Sequence, residues 1–174
     1  MSIIALRAAI ESELPAIWEI LQQAIEQRRQ AGSAQWQNGY PSEQTVRDDI
    51  AEGFAYVLLV DNVIVAYAAV IFGVEPAYDV IDGKWLTMGG YAAVHRVARS
   101  NAVKSKGIGT KLFELIEELC VEKGAGSIRL DTNFDNASML HIVTKLNYVY
   151  CGEIFFQGAA RRAYEKLLQI DSVS

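Results

Sequence analysis

Residues 103–120 read VKSKGIGTKLFELIEELC, and this stretch constrains the fold more than any other. Ile108, Leu112, Leu115, Ile116 and Leu119 recur at helical spacing, with Glu114, Glu117 and Glu118 turned outward. The spacing predicts a helix from Gly107 to Lys123, closed by Gly124 as C-cap. Its opening is unusual. Glycine inside a helical turn costs roughly 0.5–1 kcal/mol relative to alanine, yet two stand here, Gly107 and Gly109. The flanking segments, Tyr91 to about Arg99 and Ser127 to Asp131, read as strands. A helix between two strands makes this an α/β chain.

The rest of the sequence extends that pattern. Ile3 to Leu6 is a short strand, and Ser12 is expected to cap a helix with Pro15 in its first turn. Leu14, Ile17, Leu21, Ala24 and Ile25 form the apolar stripe of that helix, and Gly32 ends it before the loop SAQWQNGYP. Ser42 to Glu52 suits a second helix capped by Ser42. Phe54 to Val60 and Val63 to Phe72 form a hairpin around Asp61-Asn62. The loop GVEPAYDVIDGKWLTMGG precedes the strand at Tyr91. Asn136 to Leu146 is a helix, and strands Tyr148 to Phe156 and Arg161 to Leu168 close the chain around Gln157-Gly158. The predicted order is β-α-α-β-β-β-α-β-α-β-β.

The two glycines have a physical use. The first N–H groups of a helix lack intrahelical acceptors, and the macrodipole adds partial positive charge there. Glycine lets a bulky anion approach those donors, so a strand, a loop and a Gly-x-Gly helix start can cradle a diphosphate. Lys104, Lys106 and Lys111 add cationic charge; a plain glycine turn with solvated lysines is the simpler alternative. The Walker pattern is absent. The dinucleotide fingerprint would need a third glycine where Leu112 stands.

Lys104-Ser105-Lys106-Gly107-Ile108-Gly109 resembles the Gln/Arg-x-x-Gly-x-Gly/Ala motif of the GNAT superfamily of acyl-coenzyme A N-acyltransferases. There the motif follows the fourth strand and opens the third helix. A second block agrees: Asn136 opens a helix, and Tyr148, twelve residues on, stands where the family usually has the Phe of a Gly-Phe pair. The element order is similar over essentially the whole chain, and QWQNGYP, GKWL, HRVAR and AYEKLL resemble a bacterial subgroup of unassigned acceptor. The sequence departs from the family pattern at several positions. Lys104 replaces the usual Gln or Arg, keeping arginine's charge without its planar fork, Ser105 replaces a common glycine, and Asn147 replaces the glycine before the Phe. Val143 occupies the place where relatives commonly carry a tyrosine that protonates the leaving thiolate.

The resemblance implies one domain over residues 1–174, with a mixed, mostly antiparallel sheet of six to seven strands. About four helices flank that sheet, which splays at strands 4 and 5. It implies acetyl-CoA as co-substrate, held by Val97, Ala98 and Arg99 on the fourth strand, by Lys104, Ser105, Lys106, Gly107, Ile108, Gly109 and Thr110 in the glycine loop, and by Asn136. It implies direct attack of a primary amine on the thioester in a ternary complex. Histidine titrates near neutrality, which makes His95 the first candidate base, with a structural histidine in the sheet as the alternative. Glu75, in the loop expected to cover the acceptor, is the second. Trp36, Tyr78, Trp85 and Tyr91 are candidates for the acceptor pocket or for the core. His141 is expected to be exposed.

Partners are bounded by charge. A net charge of −5 gives no global attraction to nucleic acid or anionic lipid, and no apolar run approaches a membrane span. Cys120 and Cys151 match neither a disulfide framework nor a zinc site, so no metal is expected. The opening MSIIALRAAIESE lacks a basic region followed by an unbroken apolar segment, and a cytoplasmic setting is expected. The two C-terminal strands would expose an edge suited to a homodimer. The competing reading is a non-catalytic acyl-CoA-binding sensor or interaction module.

Overall fold

A computed structural model describes residues 1–156 and 158–169. Among the described residues, eight strands and four α-helices follow one another as β1 (Ile4–Ala8), α1 (Leu14–Gln30), α2 (Glu43–Ala51), β2 (Ala55–Val60), β3 (Val63–Phe72), β4 (Asp82–Gly83), β5 (Tyr91–Arg99), α3 (Ile108–Glu122), β6 (Ser127–Thr132), α4 (Ala137–Lys145), β7 (Val149–Phe156) and β8 (Ala159–Leu167). Strands are hydrogen-bonded in the order β1-β2-β3-β5-β6-β8-β7-β4. This is the α/β fold expected, with one strand more than predicted. Two compact units make it up: Met1–Val70 with Arg96–Leu115, and Ile71–His95 with the described residues from Ile116 onward.

In the first unit, β1 and β2 pair antiparallel, as do β2 and β3. Asp61 and Asn62 both adopt positive φ, 50° and 67°, the two-residue turn whose twist matches a hairpin. Ile17, Leu21, Val46, Val57 and Tyr67 fill the core between the helices and β2–β3. Ser42 caps α2 as expected, its side chain accepting the Thr45 N–H. Ser12 does not cap α1. It lies in a 3-10 turn at Glu11–Glu13, and the Ile10 N–H is satisfied instead by Glu13 Oε1 at 2.9 Å.

In the second unit, Tyr91–Val94 of β5 runs parallel to Ser127–Leu130 of β6. β6 pairs antiparallel with β8, and β8 with β7. The unpredicted strand is β4, whose Gly83 faces Gly152 of β7. Both glycines are required by this approach. A Cβ on Gly83 would collide with the Cys151 carbonyl oxygen, and one on Gly152 with that of Asp82. β8 is therefore internal to the sheet, and β4 pairs with Gly152 and Glu153 of β7, covering part of the edge expected of the C-terminal pair. The turn expected at Gln157-Gly158 has Gly158 at φ 78°; Gln157 lies outside the described residues. Asn147, just after α4, adopts φ 65°, a left-handed conformation that asparagine tolerates. Glu117 is not simply turned outward, since it forms an ion pair with Lys166 of β8. Among the described residues, no helix is long and apolar enough to cross a membrane.

Candidate active site

Period-two alternation places one set of side chains on a single face of the second unit's sheet. Ala93 lies opposite Arg129, Arg129 opposite Glu165, and Asp131 opposite Ala163. Tyr91 and His95 share that face with Ala93. Charged residues at alternate positions of β6 sit beneath the segment 73–90, and each is committed differently.

Arg129 and Glu165 anchor the segment. Arg129 Nε donates to Glu165 Oε2 at 2.7 Å and Nη2 to the Thr87 carbonyl at 2.6 Å. The carboxylate also accepts the N–H groups of Leu86 and Thr87 at 2.9 and 3.1 Å. The guanidinium lies 4.4 Å from the Trp85 ring and 4.1 Å from that of Tyr91. Trp85 Nε1 donates to the Tyr78 carbonyl, and the Glu75 N–H to Tyr91 Oη, both at 2.8 Å. Trp85 and Tyr91 thus spend their polar atoms holding the segment that carries Glu75 and Tyr78.

Asp131 organises the other end. Its Oδ2 accepts Tyr78 Oη–H at 2.7 Å and lies 3.8 Å from His95 Nδ1. Its Oδ1 accepts Arg161 Nη1 at 3.4 Å. Burial, and then the charge of Asp131, push the Tyr78 hydroxyl well above its ordinary pKa, so it stays a proton donor to that carboxylate. The Tyr78 and His95 rings stand 5.8 Å apart. His95 Nε2 is 3.2 Å from Glu75 Oε2, and this buried nitrogen makes no hydrogen bond. The two expected acid–base residues are therefore neighbours. Asp131 and Arg161 were missed by sequence reasoning, although a charge at every second position of the apolar strand SIRLDT marks a buried polar face.

The first unit carries the glycine loop. Gly107 precedes the helix instead of opening it. Its φ is 85°, a Cβ there would meet nothing within 4 Å, and its carbonyl accepts the Lys111 N–H at 2.9 Å. The N–H groups of Ile108, Gly109 and Thr110 fall in the first turn, before that bond. Lys104, Ser105 and Lys106 are exposed. Arg99 Nη2 donates to the Val103 carbonyl at 2.7 Å, tying the end of β5 to the loop. Ala98 is buried and Val97 half-buried. Immediately before them, Arg96 adopts φ 55° and is held by Asp49 and Tyr40. A loop of free N–H donors and small or cationic side chains, with open space at Gly107, suits a diphosphate.

Trp36 belongs to the first unit. It is buried in the first unit's core under Arg28, 3.8 Å from ring to guanidinium, and borders a cleft of about 330 Å³ with Trp18, Ile25 and Pro41. Asn136 caps α4, its Oδ1 accepting the Met139 N–H at 3.1 Å. His141 is exposed, as expected, while Val143 and Tyr148 are buried.

Comparison with known proteins identifies the family and the fold. The sequence model of the Acetyltransferase (GNAT) family matches residues 14–148. A GNAT-family acetyltransferase structure from Streptococcus agalactiae is 35% identical with TM-score 0.86, over 95% of this chain and 96% of the other. One from Listeria monocytogenes is 16% identical with TM-score 0.76, over 95% of each chain. YncA of Salmonella typhimurium, a putative acetyltransferase solved with acetyl-CoA, is 15% identical with TM-score 0.67, over 98% and 96%. No curated protein sequence matches.

Proposed function

The chain belongs to the GNAT acetyltransferase family, and from that premise we propose that it transfers the acetyl group of acetyl-CoA to a primary amine of a small molecule or peptide by direct attack in a ternary complex. The observation that carries this reading is His95 Nε2, buried, uncommitted to any hydrogen bond and 3.2 Å from Glu75. A cationic amine entering beside Glu75 meets a carboxylate that attracts it and an imidazole that can take its proton.

The residues divide the work. Acetyl-CoA supplies the activated acetyl group as a thioester. The N–H groups of Ile108, Gly109 and Thr110, with Lys104 and Lys106, hold its diphosphate; Ser105 and Gly107 shape the loop. The backbone of Val97, Ala98 and Arg99 aligns its arm, and Asn136 is the further contact. An ammonium with pKa near ~10.4 must lose a proton before attack. His95 removes it, directly or through a water, as the nitrogen–carbon bond forms and the carbon–sulfur bond breaks. Asp131, fixed by Tyr78, faces Nδ1 and so favours the tautomer that leaves Nε2 able to accept. Within this reading the chain is one domain, working on a soluble acceptor.

The test is a primary-amine library assayed with acetyl-CoA, read by mass spectrometry and by thiol release corrected for hydrolysis. His95→Ala should lower turnover roughly 100-fold or more with cofactor affinity nearly unchanged. Unaltered activity with the same pH profile would transfer the role to Glu75. Tight cofactor binding with no acetylated product would make the chain a sensor.

A further inference from the structure

Three arginines are buried or nearly so, and only two are satisfied. Arg96 donates three hydrogen bonds of 2.6 to 2.8 Å. Arg129 donates two, of 2.7 and 2.6 Å, and lies against two aromatic rings. Arg161 is as deeply placed, 9% exposed. It makes one long bond of 3.4 Å, from Nη1 to Asp131, and its Nε is buried without a partner. Phe156 lies 5.0 Å under the guanidinium. A guanidinium offers five N–H donors in a rigid fork. Leaving the Nε–H buried and idle is costly unless something else fills it.

Asp131 cannot fill them. Its Oδ2 is held by Tyr78 and faces His95, which leaves only Oδ1 for Arg161. The missing partner is a planar anion able to take two parallel N–H groups, and a carboxylate has that geometry. The other end of the site is anionic, with Glu75 and Asp131 facing the imidazole that accepts the amine proton. A small molecule carrying an ammonium and a carboxylate matches both ends.

We propose that the acceptor is a small amino acid, or an amine bearing a carboxylate a few atoms from its nitrogen, with Arg161 binding the carboxylate while the amine faces His95 and Glu75. This rests on the acetyl-transfer reading and narrows its acceptor. A phosphate-bearing amine fits less well, because it would bring a second negative charge to a site already holding two carboxylates. The zwitterion brings none in net.

The test compares matched acceptors: free amino acids, their C-terminal amides and the corresponding decarboxylated amines. The wild-type protein should favour the free carboxylate by at least 50-fold in kcat/KM. Arg161→Gln should erase that preference, losing about 100-fold on amino acids and little on amides, with coenzyme A affinity unchanged. Arg161→Lys should recover part of it. Calorimetric binding of the same amino acids to the coenzyme A-loaded protein, wild type against Arg161→Gln, gives a readout that needs no turnover and should show the same loss. Turnover of plain amines in preference to amino acids would overturn the inference while leaving acetyl transfer standing. Equal losses on amides and amino acids would also overturn it. If no acceptor turns over but amino acids bind through Arg161, the acetyl-transfer reading fails and the site assignment holds. If Arg161→Gln does not fold, the wild-type preference alone decides.

Discussion

Arg96 and Asp49 form a two-point ion pair, Nη2 to Oδ1 at 2.6 Å and Nε to Oδ2 at 2.8 Å. Tyr67 Oη also donates to Asp49 Oδ2, at 2.5 Å, and Arg96 Nη1 donates to Tyr40 Oη at 2.7 Å. This assembly holds Arg96 at φ 55°, a conformation costing about 1–3 kcal/mol outside glycine. The strand leaves that point as Val97, Ala98 and Arg99, so the pair sets the backbone that the cofactor arm would meet. Asp49→Ala leaves the guanidinium buried and unpaired, which should cost about 3–5 kcal/mol. Acetyl-CoA affinity, measured at a temperature where the variant is folded, should fall at least 10-fold. A variant that melts like wild type and binds acetyl-CoA unchanged would refute this role.

Gly107 separates backbone strain from ligand contact. A Cβ at this position meets no atom of the protein, yet its φ of 85° penalises any L side chain by roughly 1–2 kcal/mol. Gly107→Ala should therefore destabilise modestly. It should weaken coenzyme A binding by 10-fold or more, about 1.4 kcal/mol, if the open space receives the diphosphate. Gly109→Trp, in the first helical turn, should do the same. Calorimetry showing unchanged affinity in a folded Gly109→Trp protein would remove the glycine loop from the cofactor site.

Much of this was legible in the sequence because local chemistry decided it. The Asp61-Asn62 turn, the Ser42 cap, Gly124 and the limits of β5 follow from residues close in the chain. β4 was not legible: two residues, Asp82 and Gly83, carry no periodicity, and what seats them is the absence of a side chain on Gly152 far along the chain. Ser12 lost its capping role because Glu13, bound to Arg7 at 2.7 Å, took the first turn. In the candidate site, residue type singled out His95 and Glu75, which the fold brings within 3.2 Å of each other. Asp131, Arg161 and Asp49 owe their roles to pairing across strands and helices, and no spacing along one segment displays that.

Buried acids also predict the alkaline limit of the fold. Burial, then the charge of Glu117, raises the Cys120 thiol to about 12, and burial together with Asp49 raises the Tyr67 hydroxyl. Above pH ~9 the unfolded chain loses these protons while the folded chain keeps them. The folded state then binds more protons, so stability falls with rising pH, by up to about 1.4 kcal/mol per pH unit for each such group. Thermal melts at pH 8 and pH 10.5 should differ, and Cys120→Ala or Tyr67→Phe should narrow the difference. Equal differences in all three proteins would exclude these groups as the cause.

On the acetyl-transfer reading, the leaving thiolate is expected to need no acid from this chain. Val143, at the position where the family resemblance leads one to expect a tyrosine, is 1% exposed and packed in the core. Two tyrosines follow on the next segment. Tyr148 is buried, and burial followed by Glu117 and Cys120 drives its hydroxyl well above the ordinary range. Such a phenol surrenders its proton poorly. Tyr150 is half exposed, its ring edge-on to Tyr164 at 5.7 Å. A thiol with pKa of about 8.5 departs readily as thiolate and can take a proton from water afterwards. Tyr148→Phe and Tyr150→Phe should therefore each cost no more than about 10-fold in turnover, whereas removing a true general acid costs ~100-fold or more. A 100-fold loss confined to kcat in either variant, with acetyl-CoA affinity intact, would assign that tyrosine as the acid.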